Sequence, residues 1–275
     1  MKKEIFSDLW KSQVEKTKSL VCVGLDSANS SLPECVKTFP NPQSEFNRRI
    51  IESTIDVSSA YKINFAFYEE TGRLGMEAIR DTLKYIPQEI PVIADVKRGD
   101  IGNTAEAYAR AVFEEMGFHA CTVTAYMGED SVQPFAKYAN KGVFVVCLSS
   151  NKGAEDLQMF KLANGEYVYE LMTKKVISWN QNNNLGVVAG ATRPADLQKV
   201  RELCGPDMLI LCPGIGAQSG STESAVKAGL GALPGNLIIN SSRGIIFASK
   251  DNNFAQSARE SAIKLSKEIN ASVLK

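Results

Sequence analysis

The segment Ile93-Ala94-Asp95-Val96-Lys97-Arg98-Gly99-Asp100-Ile101 sets Asp95 and Lys97 two residues apart at the end of an apolar run. If that run is a strand, alternation sends both side chains to one face, an ammonium beside a carboxylate. Asp100 follows, ahead of a helical pattern that Asn103 or Thr104 could cap. Upstream, Tyr61-Lys62-Ile63-Asn64 sets Lys62 and Asn64 on one face and Ile63 on the other, and Asp26 follows Val23-Gly24-Leu25. Interleaved lysines and acids can stabilise charge that develops as a bond breaks, and can then deliver a proton. Alone, the DxKxxD spacing reads better as a solvated ion-pair cluster. Charges arriving from two further strands, at Asp26 and Lys62, turn the reading toward chemistry.

A second set suits an anion. Pro213-Gly214-Ile215-Gly216-Ala217-Gln218-Ser219-Gly220 and Asn240-Ser241-Ser242-Arg243-Gly244 each follow an apolar run. Glycines let backbone N–H groups approach a phosphate, a following helix adds a favourable dipole, and Arg243 offers a two-pronged contact. Glycine-rich turns with a surface arginine are the plainer alternative. Leu148-Ser149-Ser150-Asn151-Lys152-Gly153 opens a connection of about fifteen residues, a length typical of lids. Ser150 and Asn151 there can bond a base edge, or simply make a turn.

These residues need a frame. Short apolar runs alternate with helical patterns: 19–25, 60–65, 91–96, 120–125, 142–148, 185–191, 208–213 and 236–240 read as strands. The intervening patterns include 44–57, 104–117 and 163–181, and 253–269 closes the chain. Such alternation implies parallel strands with helical crossovers, and eight units match a (β/α)8 TIM barrel whose chemistry sits at the carboxyl ends of the strands. Phosphate sites in that fold follow strands seven and eight, where both glycine loops fall. An open doubly wound sheet is the competitor, but no GxGxxG follows the first strand. The 275 residues fit one barrel domain, 1–275, with an N-terminal amphipathic helix over 4–18 carrying Ile5, Leu9 and Val14 near one face. Two smaller domains are the other division of that length.

Composition narrows the function. Thirty-one basic and 31 acidic residues cancel, which argues against binding nucleic acid through a general positive field. No apolar stretch is long enough for a membrane span, and the start lacks the apolar core of a signal peptide, so a cytoplasmic protein is expected. Six cysteines (22, 35, 121, 147, 204, 212) include no CxxC, and four sit in strand-like runs as small hydrophobes. His119 is the only histidine, so a Ser-His-Asp triad or a multi-histidine metal site has little to build on. It reads as a residue entering a strand.

Together, VGLD (23–26), YKINFAFYE (61–69), ADVKRGDI (94–101), SSNKG (149–153), GATRP (190–194), PGIGAQSG (213–220) and NSSRGI (240–245) resemble the orotidine 5′-phosphate decarboxylase family, in its longer bacterial branch. The resemblance implies cofactor-free and metal-free decarboxylation of orotidine 5′-phosphate (OMP) to uridine 5′-phosphate (UMP), with Lys97 as proton donor. It assigns Lys62, Asp95, Lys97 and Asp100 to a catalytic network, Asp100 reaching the partner's site across a homodimer. Asp26 is then the ribose-binding aspartate and Ser150 the pyrimidine-reading serine. Ile101 and Thr104 flank base and ribose, and Pro213, Gln218 and Arg243 complete the substrate contacts, the last two at the phosphate. Lys152 stands where the family turn has proline. Rival readings are a Mg2+-dependent sugar-phosphate decarboxylase or aldolase on the same barrel, a Schiff-base aldolase using Lys62 or Lys97, and a nucleotide-binding barrel without catalysis.

Overall fold

The computed structural model describes residues 5–215, 221–231 and 235–273. Its centre is eight parallel strands: β1 (Val21–Gly24), β2 (Ala60–Asn64), β3 (Val92–Arg98), β4 (Ala120–Val123), β5 (Gly142–Leu148), β6 (Leu185–Ala189), β7 (Ile210–Pro213) and β8 (Leu237–Ser241). Each pairs with its sequence neighbour and β8 returns to β1, so the sheet closes on itself. The eight expected strands are all present, with small shifts at their ends. Closure removes the open-sheet alternative and gives a single-domain (β/α)8 barrel.

Strands of such a barrel are covered on both faces, which is why they read as near-continuous apolar runs. Val143, Phe144 and Val145 of β5 are all buried, for example. Helices Pro42–Thr54, Arg73–Tyr85, Gly102–Arg110, Val168–Trp179, Pro194–Cys204, Thr222–Gly229 and Phe254–Val273 make the outer layer. After β4 the crossover is reduced to one turn, Gln133–Ala136. Helix Gly102–Arg110 runs on into a wider π turn over Ala111–Glu115.

The N-terminal helix spans Phe6–Thr17 and lies against the amino ends of the strands. Its buried face is Phe6, Leu9, Trp10 and Gln13, with Val14 partly buried. Ile5 instead stays 45% exposed, because the helix begins after it and the buried stripe starts at Phe6. Phe6 meets Phe144 edge to face at 5.7 Å, and Trp10 Nε1 donates to the Gly235 carbonyl. On the same end, the buried Arg201 guanidinium donates to main-chain carbonyls among the described residues, those of Gly229, Gly205, Met208 and Asn236.

All six cysteines are free, and Cys22, Cys121, Cys147 and Cys212 are buried as expected. His119 is structural: its Nδ1 accepts the Val92 N–H at 3.1 Å. Burial, helped by the nearby Lys141 charge, pushes its pKa down to about 4.

Candidate active site

The carboxyl ends of the strands surround a cavity of about 370 Å3, in the range of small-molecule sites. Seven strands contribute to its lining, among others Asn64 from β2, Asp95 from β3, Thr122 from β4, Val146 from β5, Val188 from β6, Leu211 from β7 and Asn240 from β8. The floor is therefore polar on one side and apolar on the other. That division suits a flat ring carrying polar edges.

Charge concentrates on the polar side. Lys62 Nζ, almost fully buried, donates to Asp26 Oδ1 at 3.1 Å and to Asp95 Oδ2 at 3.2 Å. Lys97 Nζ donates to the other Asp95 oxygen, Oδ1, at 2.6 Å. Asp95 is thus gripped from both sides. Burial opposes its charge, yet the two lysines and the Thr122 hydroxyl outweigh burial and hold its pKa well below the carboxylate range. Burial likewise opposes the Lys62 ammonium, while Asp26 and Asp95 keep it protonated above the ordinary lysine range. Beneath them lies Cys22, whose thiol burial pushes up to about 12, so it takes no part as a thiolate. Lys97 differs from the others in that half of its side chain is exposed.

Lys97 also carries a left-handed backbone, φ 45°. The cause is the sheet register: Ala94 pairs with Cys121 but Arg98 pairs with Val123, so β3 bulges between them. Opposite the bulge, Thr122 Oγ1 accepts the Lys97 N–H at 3.0 Å and donates to Asp95 Oδ1 at 2.8 Å.

Ser150 lines the cavity. The connection it opens runs over 149–167, longer than expected, and carries a 3-10 turn at Lys152–Asp156. Gln158 Oε1 accepts both the Ser149 N–H at 2.7 Å and its hydroxyl at 3.1 Å. Arg193 pairs with Glu155 at 2.8 Å, and Thr192 Oγ1 donates to the Ser150 carbonyl at 3.3 Å. The loop after β6 thus holds the loop after β5.

Pro213, Gly214, Ile215 and Arg243 form the opposite wall. Gly214 has φ 95°, a conformation that favours glycine. Arg243 is exposed and has no ion-pair partner among the described residues. Gly24 lets β1 approach the loop after β8, since a Cβ there would lie 1.9 Å from Ser242 Oγ. Gln218 lies outside the described residues.

Asp26, Lys62, Asp95, Lys97, Ser150, Pro213 and Arg243 are therefore brought together. Asp100, Ile101 and Thr104 are not among the residues lining this cavity, and Ile101 is 51% exposed. Neither Asn103 nor Thr104 caps the following helix. Ile101 holds the N-cap position without a side-chain bond, while Asp100 Oδ1 takes the Ile101 N–H at 2.8 Å. Sequence reasoning missed Thr122, Asn240 and the apolar trio Val146, Val188 and Leu211. What unites them is an inward position near the carboxyl ends of their strands, which needs the closed barrel to be seen.

The chain matches known proteins along nearly its whole length. It is 42% identical over 268 residues to an orotidine 5′-phosphate decarboxylase of Dehalococcoides mccartyi, covering 96% of this chain and 97% of that protein. It is 44% identical over 252 residues to one of Bacteroides fragilis, covering 90% and 91%. The structure of Leishmania donovani OMP decarboxylase superposes with a TM-score of 0.85 at 38% identity, over 98% of this chain and 99% of that one. Residues 19–258, a span that contains every strand of the barrel and both walls of its mouth, match the model of one family. The chain belongs to the orotidine 5′-phosphate decarboxylase / HUMPS family.

Proposed function

We propose that this chain converts OMP to UMP and CO2 without a cofactor, with Lys97 as the proton donor. The observation that carries the reading is the Asp95 carboxylate gripped by Lys62 and Lys97, with Lys97 reaching into the cavity that Arg243 also lines. The C6–carboxylate bond breaks, CO2 departs, and the electron pair stays on C6. The Lys97 ammonium, next to that carbon, steadies the pair and then transfers a proton to it, and solvent restores the ammonium.

Asp95 faces the substrate carboxylate in this scheme, and repulsion between them has a bounded role. Two charges ~4 Å apart at an effective dielectric of ~20 interact by about 4 kcal/mol. Enzymes commonly remove about 8–23 kcal/mol from a barrier. The larger share falls to stabilising the carbanion-like state and to binding energy collected at the phosphate. Arg243, which faces the cavity and has no ion-pair partner among the described residues, suits the phosphate; the family resemblance gives Gln218 the same ligand. Ser150 reads the pyrimidine and Asp26 the ribose. The apolar trio on β5–β7 takes the ring.

The Mg2+-dependent rival differs at one point. Lys62 Nζ already lies between Asp26 and Asp95, where a divalent ion would use both carboxylates. Among the described residues, no three His, Cys, Asp or Glu side chains gather as a metal site. The test follows the absorbance of the orotate ring in OMP with and without chelator. Steady loss in both supports the reading; loss that chelator abolishes, or none, overturns it.

We also assign the active form to a homodimer. Ile101 and Tyr108 beyond β3 and Tyr126 and Met127 beyond β4 are exposed, Tyr126 to 84%. An apolar patch of this kind favours a partner surface. A second copy seated there would receive Asp100, Ile101 and Thr104 at its own cavity. Six free thiols suit a reducing compartment, and among the described residues no helix is long and apolar enough to cross a membrane. We assign the reaction to the cytoplasm.

A further inference from the structure

We infer that Thr122 is a positioning residue that fixes the direction from which Lys97 delivers its proton. The inference rests on the activity proposed above. Lys97 is one of three described non-glycine residues with positive φ, and the only one of them that lines the cavity. A left-handed backbone at a non-glycine residue is strained and persists only where surrounding contacts hold it. The bulge between Ala94 and Arg98 takes Lys97 out of the strand register, so its N–H needs an acceptor from elsewhere.

Thr122 Oγ1 supplies it, at 3.0 Å, and passes its own hydrogen to Asp95 Oδ1 at 2.8 Å. The same Oδ1 accepts the Lys97 ammonium at 2.6 Å. One hydroxyl therefore ties both ends of Lys97: its main chain directly, and its side chain through the carboxylate that receives it. Thr122 is buried, so water does not compete for these bonds. A hydroxyl that accepts one bond while donating another is polarised by both. Threonine also has few χ1 choices, which keeps the hydroxyl aimed across the barrel.

Two substitutions separate positioning from packing. Thr122→Val keeps shape and volume but loses the hydroxyl. Thr122→Ser keeps the hydroxyl but loses a buried methyl. A role in packing alone predicts that serine does more harm. Positioning predicts the reverse for turnover: valine lowers kcat roughly 10–100-fold, as a misplacement of ~1 Å would, while serine retains most of it. KM for OMP and the affinity for UMP change less than about threefold in both, because the hydroxyl is already engaged by the Lys97 N–H and Asp95 and acts through them. Thermal unfolding run alongside checks that the serine variant is the less packed protein.

Valine within threefold of the parent, or serine as slow as valine, overturns the inference. So does a crystal structure of Thr122→Val in which Lys97 keeps both its left-handed backbone and its contact with Asp95, whatever the turnover. A parent chain that leaves the orotate absorbance unchanged fails the proposed activity instead, and the crystal structure then decides the positioning claim alone.

Discussion

Lys97 and Lys62 share a carboxylate but are placed for different work. Lys62 is sealed below Asp95, its side chain 4% exposed, whereas half of Lys97 is open to the cavity. Substituting Lys97→Arg preserves a positive charge yet exchanges an ammonium that can transfer a proton for a guanidinium that holds its protons far more tightly. We expect kcat to fall by about 10²–10⁴, the usual share of general-acid catalysis, while calorimetry still detects UMP binding. Near-parental turnover would remove Lys97 from its role. Arg243→Ala should cost far more in kcat/KM on OMP than on the phosphate-free nucleoside, and equal losses would detach Arg243 from the phosphate. Asp95 makes a pH prediction. Its folded pKa lies below the unfolded value of about 3.9, so its contribution to stability is complete above that pH and is lost as pH falls toward the folded pKa. The raised Lys62 contribution is complete below about 10.4 and lost only above it. Urea unfolding should therefore give a difference between the parent and Asp95→Asn that is level from pH 5 to 9 and shrinks below about pH 4.

At the level of elements, the strands were the legible part of the chain. Burial on both faces writes each one as an apolar run, and Lys62 and Asp95 stand out because they interrupt that rule. The bulge in β3 left no such mark, because its cause is non-local: Thr122 comes from the next strand. The same holds for Gln158, whose acceptor reaches back nine positions to Ser149 within a segment that reads only as a loop. The start of helix Gly102–Arg110 was misread because Asn103 and Thr104 are good capping types, whereas an extended Ile101 and the Asp100 carboxylate set the actual entry. Gln158 carries the element-scale prediction. Gln158→Leu should raise KM for OMP about 2–10-fold through loss of a bond worth about 0.5–1.5 kcal/mol, with Gln158→Glu, which keeps an acceptor, staying near the parent. Unchanged kinetics in Gln158→Leu would mean that the turn carrying Ser150 holds its shape without it.

For the molecule as a whole, two ends of the barrel do separate jobs. The amino end is structural, and Arg201 is its clearest case: one buried cation satisfies four main-chain carbonyls. Arg201→Met should lower unfolding free energy in urea by at least about 1–3 kcal/mol, the cost of one carbonyl left buried and unpaired, with little effect on KM in the folded fraction. The proposed homodimer would draw on a second copy at the carboxyl end. Mixing inactive Asp100→Ala and Lys97→Ala chains after subunit exchange should restore about one quarter of parental activity, since half the dimers are mixed and each of those holds one intact site. No recovery at any ratio would confine Asp100 to its own chain.

The binding of the Val92 amide by His119 has a consequence for life in a changing medium. With its proton affinity driven so low, the sole imidazole stays mainly neutral as the surroundings acidify from pH 8 to 6. At the reaction centre, the group whose ordinary ionisation falls inside that window belongs to the ligand: the second proton of the nucleotide's phosphate, near ~6. Acidification would then be felt first as a weaker grip on the incoming nucleotide, with the bond-breaking step itself left alone.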